Sequence, residues 1–561
     1  MKQSIIANTT QDTSQVAPNP CMEQSYHVFM LPFIVKEDVN PKHLEERLSV
    51  YDTTKWIHVC DKVLSDEEEA RKAYNASKYF NKAAFEALHQ TTKPPHKSWH
   101  RQHKDEVLEE FELKNLDPSR SYYRLDLNHF SAHLQLQSVR VKLYSHNIGQ
   151  ILYRTYYNEA LFQKDKERKT VESYSYLDAV EDINSYGRRV SLPFVPQPEQ
   201  GSYAARLTAV AAEISVSINA ESSHNTTSYK TDFDQMAKSI VPAGSTAHTY
   251  QENAHHTIAK HAVGIIFNNT IREDKYHETI IPVYDDRMIL ASIISSDEAA
   301  NLIPGYTKFK GLDEKTLSQT SPSDNNETAY DNARRLYGII SCDSHSDSPT
   351  VRDASMLQKL MHKFSLDRWN EYKSYTGVSH HAFVMIKPPI DDNAFLFDNF
   401  SYLYVEMVSL VVVQRTALLN ILHNTSEASR SIKGIHSLGL RATSRVAKIK
   451  QDIAVFTANI NLLDITEQEQ GDETYTKIRE NLGVNTLSRN VKEQVEGLSD
   501  AAQAIRSSVY NAAAFAVAVG ALVIEIDTDK IWPNECIKAV FTILIILLVF
   551  FISRRIARKK R

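Results

Sequence analysis

Residues Arg506–Arg561 read RSSVYNAAAFAVAVGALVIEIDTDKIWPNECIKAVFTILIILLVFFISRRIARKKR. Two apolar runs stand in this stretch, 507–526 and 537–553, separated by an acidic turn, 527–535. Each is close to the roughly 20 residues that a helix needs to cross the hydrocarbon of a bilayer, and no other window of the chain reads that way. The expectation is a C-terminal helical hairpin in the membrane. Arg554, Arg555, Arg558, Lys559, Lys560 and Arg561 follow the second run directly, whereas the turn carries Asp527, Asp529 and Glu535 against Lys530 alone. Basic flanks stay on the cytoplasmic side. Both termini, and with them about 500 residues ahead of the hairpin, are therefore expected in the cytoplasm.

The two runs differ in texture. Ala512, Ala516 and Gly520 recur every four residues in the first, with Ala514 and Ala518 beside them, a pattern that lets helices approach closely. The second is bulky from Val540 to Phe551. Small inner helices ringed by greasy outer ones suit a symmetric oligomer with a central pore. A plain hairpin anchor, its first helix packed on its second, fits the same texture.

The composition confines the remainder. The chain has 561 residues, 42% hydrophobic and 24% charged, which is ordinary for a mostly aqueous protein with a small membrane part. A net charge of −5 gives no support for binding DNA or RNA by bulk electrostatics. Four cysteines without paired spacing suit a reducing cytosol and argue against a disulfide framework or a zinc site. Residues 1–20, rich in Thr, Gln, Asn and Pro, read as a disordered leader.

Globular text begins at Cys21. Tyr26–Val35 and Trp56–Cys60 read as buried strands. Ser65 with Glu68 reads as a capping box opening a helix that ends before Pro94. Leu134–Tyr157 is the clearest β signal, a hairpin turning at His146–Gly149. Leu177–Asn184 is helical in pattern, and Met288–Ile294 resembles a core strand. Gln319–Glu327 reads as a loop. Two basic segments are candidate ligand contacts: Lys97, Trp99 and Arg101, where cations flank an aromatic ring, and Arg188 and Arg189 beside Gly187. The first is equally a solvated loop; the second equally forms ion pairs with Glu181 or Asp182. Glu252 and His256 would share a helical face, without an evident third ligand for a metal.

From about Asn399 the text is helical. An apolar pattern runs from Tyr402 through Leu422 and on to Leu463, Gly471 offers a turn, and a second helix is expected from about Asp472. Its stripe of Leu487, Val491, Val495, Leu498 and Ala502 flows without a breaker into the first apolar run. Some fifty residues of helix would be roughly 75 Å long, a rod that transmits movement or merely spaces. The expected class is thus an α+β cytosolic domain (21–398), a helical stalk (399–506) and a two-helix transmembrane hairpin with a basic tail (554–561).

That order, together with KLYSHNIGQILY (Lys142–Tyr153), DAVEDINSYGRRVSLPF (Asp178–Phe194), VSLVVVQRTALL (Val408–Leu419) and ITEQEQGDETYTKIRENLG (Ile465–Gly483), resembles the CorA family of magnesium channels, in its bacterial branch with an enlarged cytosolic domain. The resemblance implies a homopentamer in the bacterial inner membrane, with the first span lining the pore. Ser507, Ser508 and Asn511 would then form polar rings, and Ala514 and Ala518 part of a dry constriction. The family's Gly-Met-Asn signature is missing, so magnesium selectivity does not follow; Glu525, Asp527 and Asp529 would instead ring the outer mouth and gather cations, divalent ones among them. Relatives of this kind accompany type III CRISPR systems and answer nucleotide second messengers. A nucleotide-gated antiviral effector is accordingly expected ahead of a housekeeping magnesium transporter or a membrane-tethered domain without a pore. No Walker loop, G-x-S-x-G or HExxH is present, and no enzyme activity is expected.

Overall fold

The computed structural model describes residues 22–35, 56–89, 108–168, 173–188, 210–231, 280–303, 324–343, 350–389, 394–433, 440–525 and 543, apart from interruptions of one to five residues. Its organising element is β1 (Gln24–Val35), whose alternation sends Phe29, Leu31 and Phe33 into one core and Val28 and Met30 into another. Strand β2 (Trp56–His58) leads straight into α1 (Val59–Ser65), α2 (Glu67–Tyr79) and α3 (Lys82–Leu88). The N-cap of α2 is Asp66, which accepts from the backbone N–H groups of Glu68 and Glu69, and Ser65 instead ends α1. A carboxylate at a helix's positive end is favoured by its charge as well as its hydrogen bonds.

Strands β3 (Leu108–Leu113), β4 (Tyr122–Leu127), β5 (Ser131–Tyr144) and β6 (Ile148–Asn158) follow. β5 and β6 form the expected hairpin, longer than its apolar core, with a bulge between Leu136 and Ser138. Helices α4 (Glu159–Arg168) and α5 (Tyr176–Tyr186) come next, and α5 opens on a true capping box, Ser175 with Asp178. Beyond β7 (Val210–Ala220), β8 (Ser223–Thr231) and β9 (Ile280–Pro282), strand β10 (Ile289–Ser295) is buried on both faces. The described helices α6 (Asp297–Asn301), α7 (Asp324–Ser341) and α8 (Ala354–Phe364) precede β11 (Ser365–Leu366), β12 (Tyr375–Val378) and β13 (Ala382–Lys387). Asp324–Glu327, expected in a loop, are the first turn of α7.

Among the described residues the strands make one 13-stranded sheet with the order β11-β12-β13-β10-β1-β6-β5-β4-β7-β8, where β3 joins both β5 and β2 and β9 joins β1. Among the described strands pairing is antiparallel except between β10 and β13, which are parallel and need the long helical crossover between them. Pro32, which lacks a donor, sits where β1 exchanges β10 for β9 as neighbour, a gap that tolerates it. One face is covered by α5, α7 and α8. Arg335 of α7 holds that layer together, reaching Glu181 (2.7 Å), Asp178 (2.7 Å) and Glu298 (2.6 Å).

The opposite face is covered by α2, α3 and the helical half of the chain. Helix α9 (Ala394–Asn399) continues through a π-helical turn, Phe400–Tyr404, into α10 (Val405–Lys433). The helix Phe395–Arg430 is long and apolar enough to cross a membrane, contrary to the expectation that only the C-terminal runs are. Its apolar window is 78% buried within the protein, so its apolarity is used against the sheet and its neighbouring helices. These are α11 (Leu440–Asn459), α12 (Glu469–Asn481) and α13 (Val484–Glu525).

The break before the last helix is not at Gly471. That residue lies inside α12, where a Cβ would collide with the Tyr79 ring and Thr466. The turn is Gly483, whose φ of +75° a side chain would strain. Arg479 then clasps the bundle from within. It donates to Gln414 Oε1 of α10 (2.9 Å), the Leu462 carbonyl (2.8 Å) and Asn461 Oδ1 (3.0 Å), and reaches Asn485 Oδ1 of α13 (3.2 Å). The rod that follows is α13 alone, 42 residues or about 63 Å, shorter than expected.

Candidate functional site

Two parts of the molecule stand out: the junction where the sheet grips α10, and the far end of α13. At the junction Glu406, 2% exposed, is a lone carboxylate in an apolar stretch. Such a charge is costly unless paired. Its Oε2 accepts from Nζ of the wholly buried Lys142 on β5, and its Oε1 accepts from Arg154 Nη2 on β6 (2.9 Å). Arg154 Nη1 also donates to the Ser401 carbonyl (2.8 Å), which stands in the π-helical turn. One guanidinium thus ties the irregular turn and the regular helix after it to the same strand. π-helical turns are rare, and they are frequent at functional sites.

The pairing spreads along the sheet. Lys142 Nζ also donates to the Leu88 carbonyl (3.2 Å), the end of α3. Arg140, one pleat away on β5, binds Glu112 (2.7 Å) and approaches Glu110 (3.5 Å), and Lys62 of α1 completes Glu112 (2.8 Å). Burial pushes the Glu406 carboxyl up, but Lys142, His89 and Arg154 outweigh it and hold the group at about 2. Glu112 is held at about 2 in the same way, with burial opposed by Arg140 and Lys62. Glu110, fully buried and farther from its cations, is raised by burial. Ser409, one turn along α10, donates to Gln150 Oε1 (2.6 Å) and extends the grip.

At the far end, α13 passes from packed to bare. Val491, Val495, Leu498 and Ala502 are buried against α10 and α11. Beyond Ala502 the described side chains are exposed, Phe515 by 59% and Val517 by 68%. Arg506 lies over the Tyr510 ring, 5.3 Å from its centroid, where the change occurs. Four of the residues expected to line a pore, Ser507, Asn511, Ala514 and Ala518, are exposed, and their spacing of four, three and four puts them on one helical face. Ser508 and Glu525 are on the same helix, Glu525 its last described residue, their side chains outside the description. Asp527 and Asp529 lie outside the described residues, as does the second apolar run except Ile543, which is helical and 57% exposed.

Of the expected ligand contacts, Lys97, Trp99, Arg101 and Arg189 lie outside the described residues, as do Glu252 and His256. Arg188 follows α5 and is wholly buried, presenting no surface to solvent. Its carbonyl accepts from Met288 N–H (2.6 Å), which starts β10 in register. Glu181 and Asp182, its expected ion-pair partners, are engaged by Arg335 and by the Tyr174 hydroxyl (2.6 Å). His381, at the surface end of β13, is lowered to about 4 by partial desolvation and then by the nearby Arg188 and Arg287. Among the described residues no group of His, Cys, Asp and Glu is arranged to hold a metal.

The sequence reading missed Glu406, Lys142 and Arg154. A signal was present: Glu406 interrupts an apolar helix, and Lys142 occupies an inward position of a strand. The chain matches no family model, and no curated protein or solved structure matches it.

Proposed function

We propose that the protein is a homo-oligomeric, CorA-like membrane ion channel in which the sheet domain, on the cytoplasmic side, gates a pore lined by α13. The observation that carries this reading is the continuity of α13. One unbroken helix packs at its start against the domain's own bundle and, from Ser507 on, is apolar in sequence and exposed at its described side chains, over a length suited to lipid and to other copies of itself. The Arg506–Tyr510 pair marks the change with the amphipathic residue types that favour a membrane interface. In this reading Asn511 and Ser507 face the conducting path, Ala514 and Ala518 narrow it, and Glu525, Asp527 and Asp529 draw cations, magnesium included, to the outer mouth.

Gating runs through the junction at Glu406, because α10 packs on both the sheet and α13. The activating ligand is a nucleotide second messenger, and the channel dissipates the membrane potential as a type III CRISPR effector in the bacterial inner membrane. Five copies are expected by resemblance to CorA. Native mass determination in detergent, with thiol labelling of single cysteines at residue 78 and residue 561 in vesicles, tests the assembly. An oligomer with both positions on one side supports the reading; a monomer, or labels on opposite sides, refutes it.

A further inference from the structure

The helix that α9 and α10 form together carries the π-helical turn Phe400–Tyr404 between them. In a regular α-helix the Val405 N–H would bond the Ser401 carbonyl, four residues back. Here it donates to the Phe400 carbonyl, five residues back, and the Ser401 carbonyl accepts from Arg154 Nη1 (2.8 Å). Arg154 Nη2 meanwhile holds Glu406 Oε1 (2.9 Å) in the first turn of α10. A side chain inserted into the ladder of helical hydrogen bonds is a recognised cause of such a break. The turn thus takes up one residue more than regular helix would.

The two sides of the turn are held unequally. On α10, Glu406 takes Lys142 and Arg154, Ser409 donates to Gln150, and Gln414 Nε2 donates to the Ile460 carbonyl and the Tyr475 hydroxyl (2.8 Å each), all in the interior. α9 is held by ring contacts near the surface. Phe397 meets Tyr26 of β1, 5.4 Å between centroids, and lies under Lys387 Nζ (4.4 Å), while Phe395 beside it is exposed. Taking the extra residue into regular helix would carry α9 about 1.5 Å along its axis and about 100° around it, against a stationary α10. That step sets Asp398 where Phe397 now sits, next to the Lys387 ammonium, so a charge pair replaces the ring contact. It also withdraws Phe400, wholly buried and stacked on Phe383 at 6.5 Å, which makes the π form the resting one.

We propose that this turn is a register switch locked in its π form by Arg154. When Arg154 leaves the Ser401 carbonyl, the Val405 N–H takes that carbonyl and α9 slips by one residue. Arg154 and Val405 compete for a single acceptor, so the state of β6, which carries Arg154, decides the register of the helix beside it. The slip changes what α9 presents to β1 and to the end of β13 while α10 stays on the sheet. The switch stands on the geometry of the turn alone, whereas its use in gating rests on the channel reading above.

Hydrogen exchange of the full chain in detergent, resolved by mass spectrometry into residues 394–405 and 406–433, tests it. Arg154→Gln raises exchange about tenfold or more in the first segment and not in the second, where Glu406 keeps Lys142. Deleting Ser401 in the same variant restores protection, because a helix shorter by that residue has no second register. Unchanged exchange in Arg154→Gln, an equal rise in both segments, or no recovery on deletion overturns the proposal. Should Arg154→Gln not fold, deletion of Ser401 alone decides: the first segment is then at least as protected as in wild type, and lower protection there overturns the switch. A switch found in a protein that carries no current keeps this inference and removes the channel; nucleotide-dependent current with exchange unaltered by Arg154→Gln does the reverse.

Discussion

The ammonium of Lys142 on β5 and the carboxylate of Glu406 on α10 form a wholly buried ion pair between residues 264 positions apart. The pair joins the sheet to the helix that leads into the bundle, and a second cation, Arg154, shares the same carboxylate. Replacing a buried pair by apolar groups can be neutral, but orphaning one member is strongly unfavourable.

Glu406→Gln takes the nearest carboxylate from Arg154 and from Lys142, which keeps the more distant Glu110 at 3.9 Å, and is expected to destabilise the protein by about 3 kcal/mol. Lys142→Met leaves Glu406 with Arg154 and costs less. Urea unfolding followed by intrinsic fluorescence measures both. Equal midpoints for Glu406→Gln and wild type would remove the pair from the list of interactions that hold α10 on the sheet.

Acid acts in two stages. Burial lowers His27 and His89 to about 4 from the ordinary 6.5, although Asn184 and Glu406 respectively oppose it. A lowered imidazole binds its proton more readily when unfolded, so stability falls as pH drops from 6.5 to about 4, by roughly 3 kcal/mol for each such group. Glu406 and Glu112, held at about 2, add a second loss as pH falls from 4.5 toward 2. His27 is held neutral between Asn184 Oδ1 (2.8 Å) and Ser25 Oγ (2.9 Å), and His27→Gln should flatten the upper stage. A melting temperature independent of pH between 6.5 and 4 contradicts this assignment.

Two glycines separate packing from propensity. Gly471→Ala forces a methyl group into Tyr79 and Thr466 and should cost about 1–3 kcal/mol. Gly497→Ala, on the exposed face of α13 with nothing near, should stabilise by up to about 1 kcal/mol. Thermal unfolding of the two variants must move in opposite directions.

These glycines also show what the sequence made legible. Alternation revealed the β5–β6 hairpin, because the face of a strand is a local property of period two, and a short continuous apolar run revealed the doubly buried β10. Gly471 and Gly483 are alike as letters. Only the neighbouring Tyr79, nearly 400 positions away, makes the first a close contact within a helix and leaves the turn to the second. Ser65 and Asp66 both begin a capping pattern, and the stronger, charged acceptor holds the helix. The apolar stretch of α10 was read as stalk and proves to be the core against the sheet, since apolarity alone does not say what covers it. The Glu406 junction is assembled from distant strands and a helix, and no spacing announces it.

Asn511, exposed on the same face as Ser507, Ala514 and Ala518, is the polar group expected to hold water in the conducting path. Asn511→Leu should cut conductance severalfold without changing assembly size, and neutralising Asp527 and Asp529 together should shift the reversal potential in a salt gradient toward weaker cation preference. Unaltered current in the first variant removes Asn511 from the path, and an unaltered reversal potential in the second removes the acidic mouth.

The most direct measurement is current across a planar bilayer containing the purified full chain, recorded before and after adding a nucleotide to the side that holds the sheet domain. The account predicts discrete, cation-carried openings that appear with the nucleotide and that Glu406→Gln makes independent of it or abolishes. A silent bilayer under every nucleotide tried, with correctly assembled protein inserted, would contradict it.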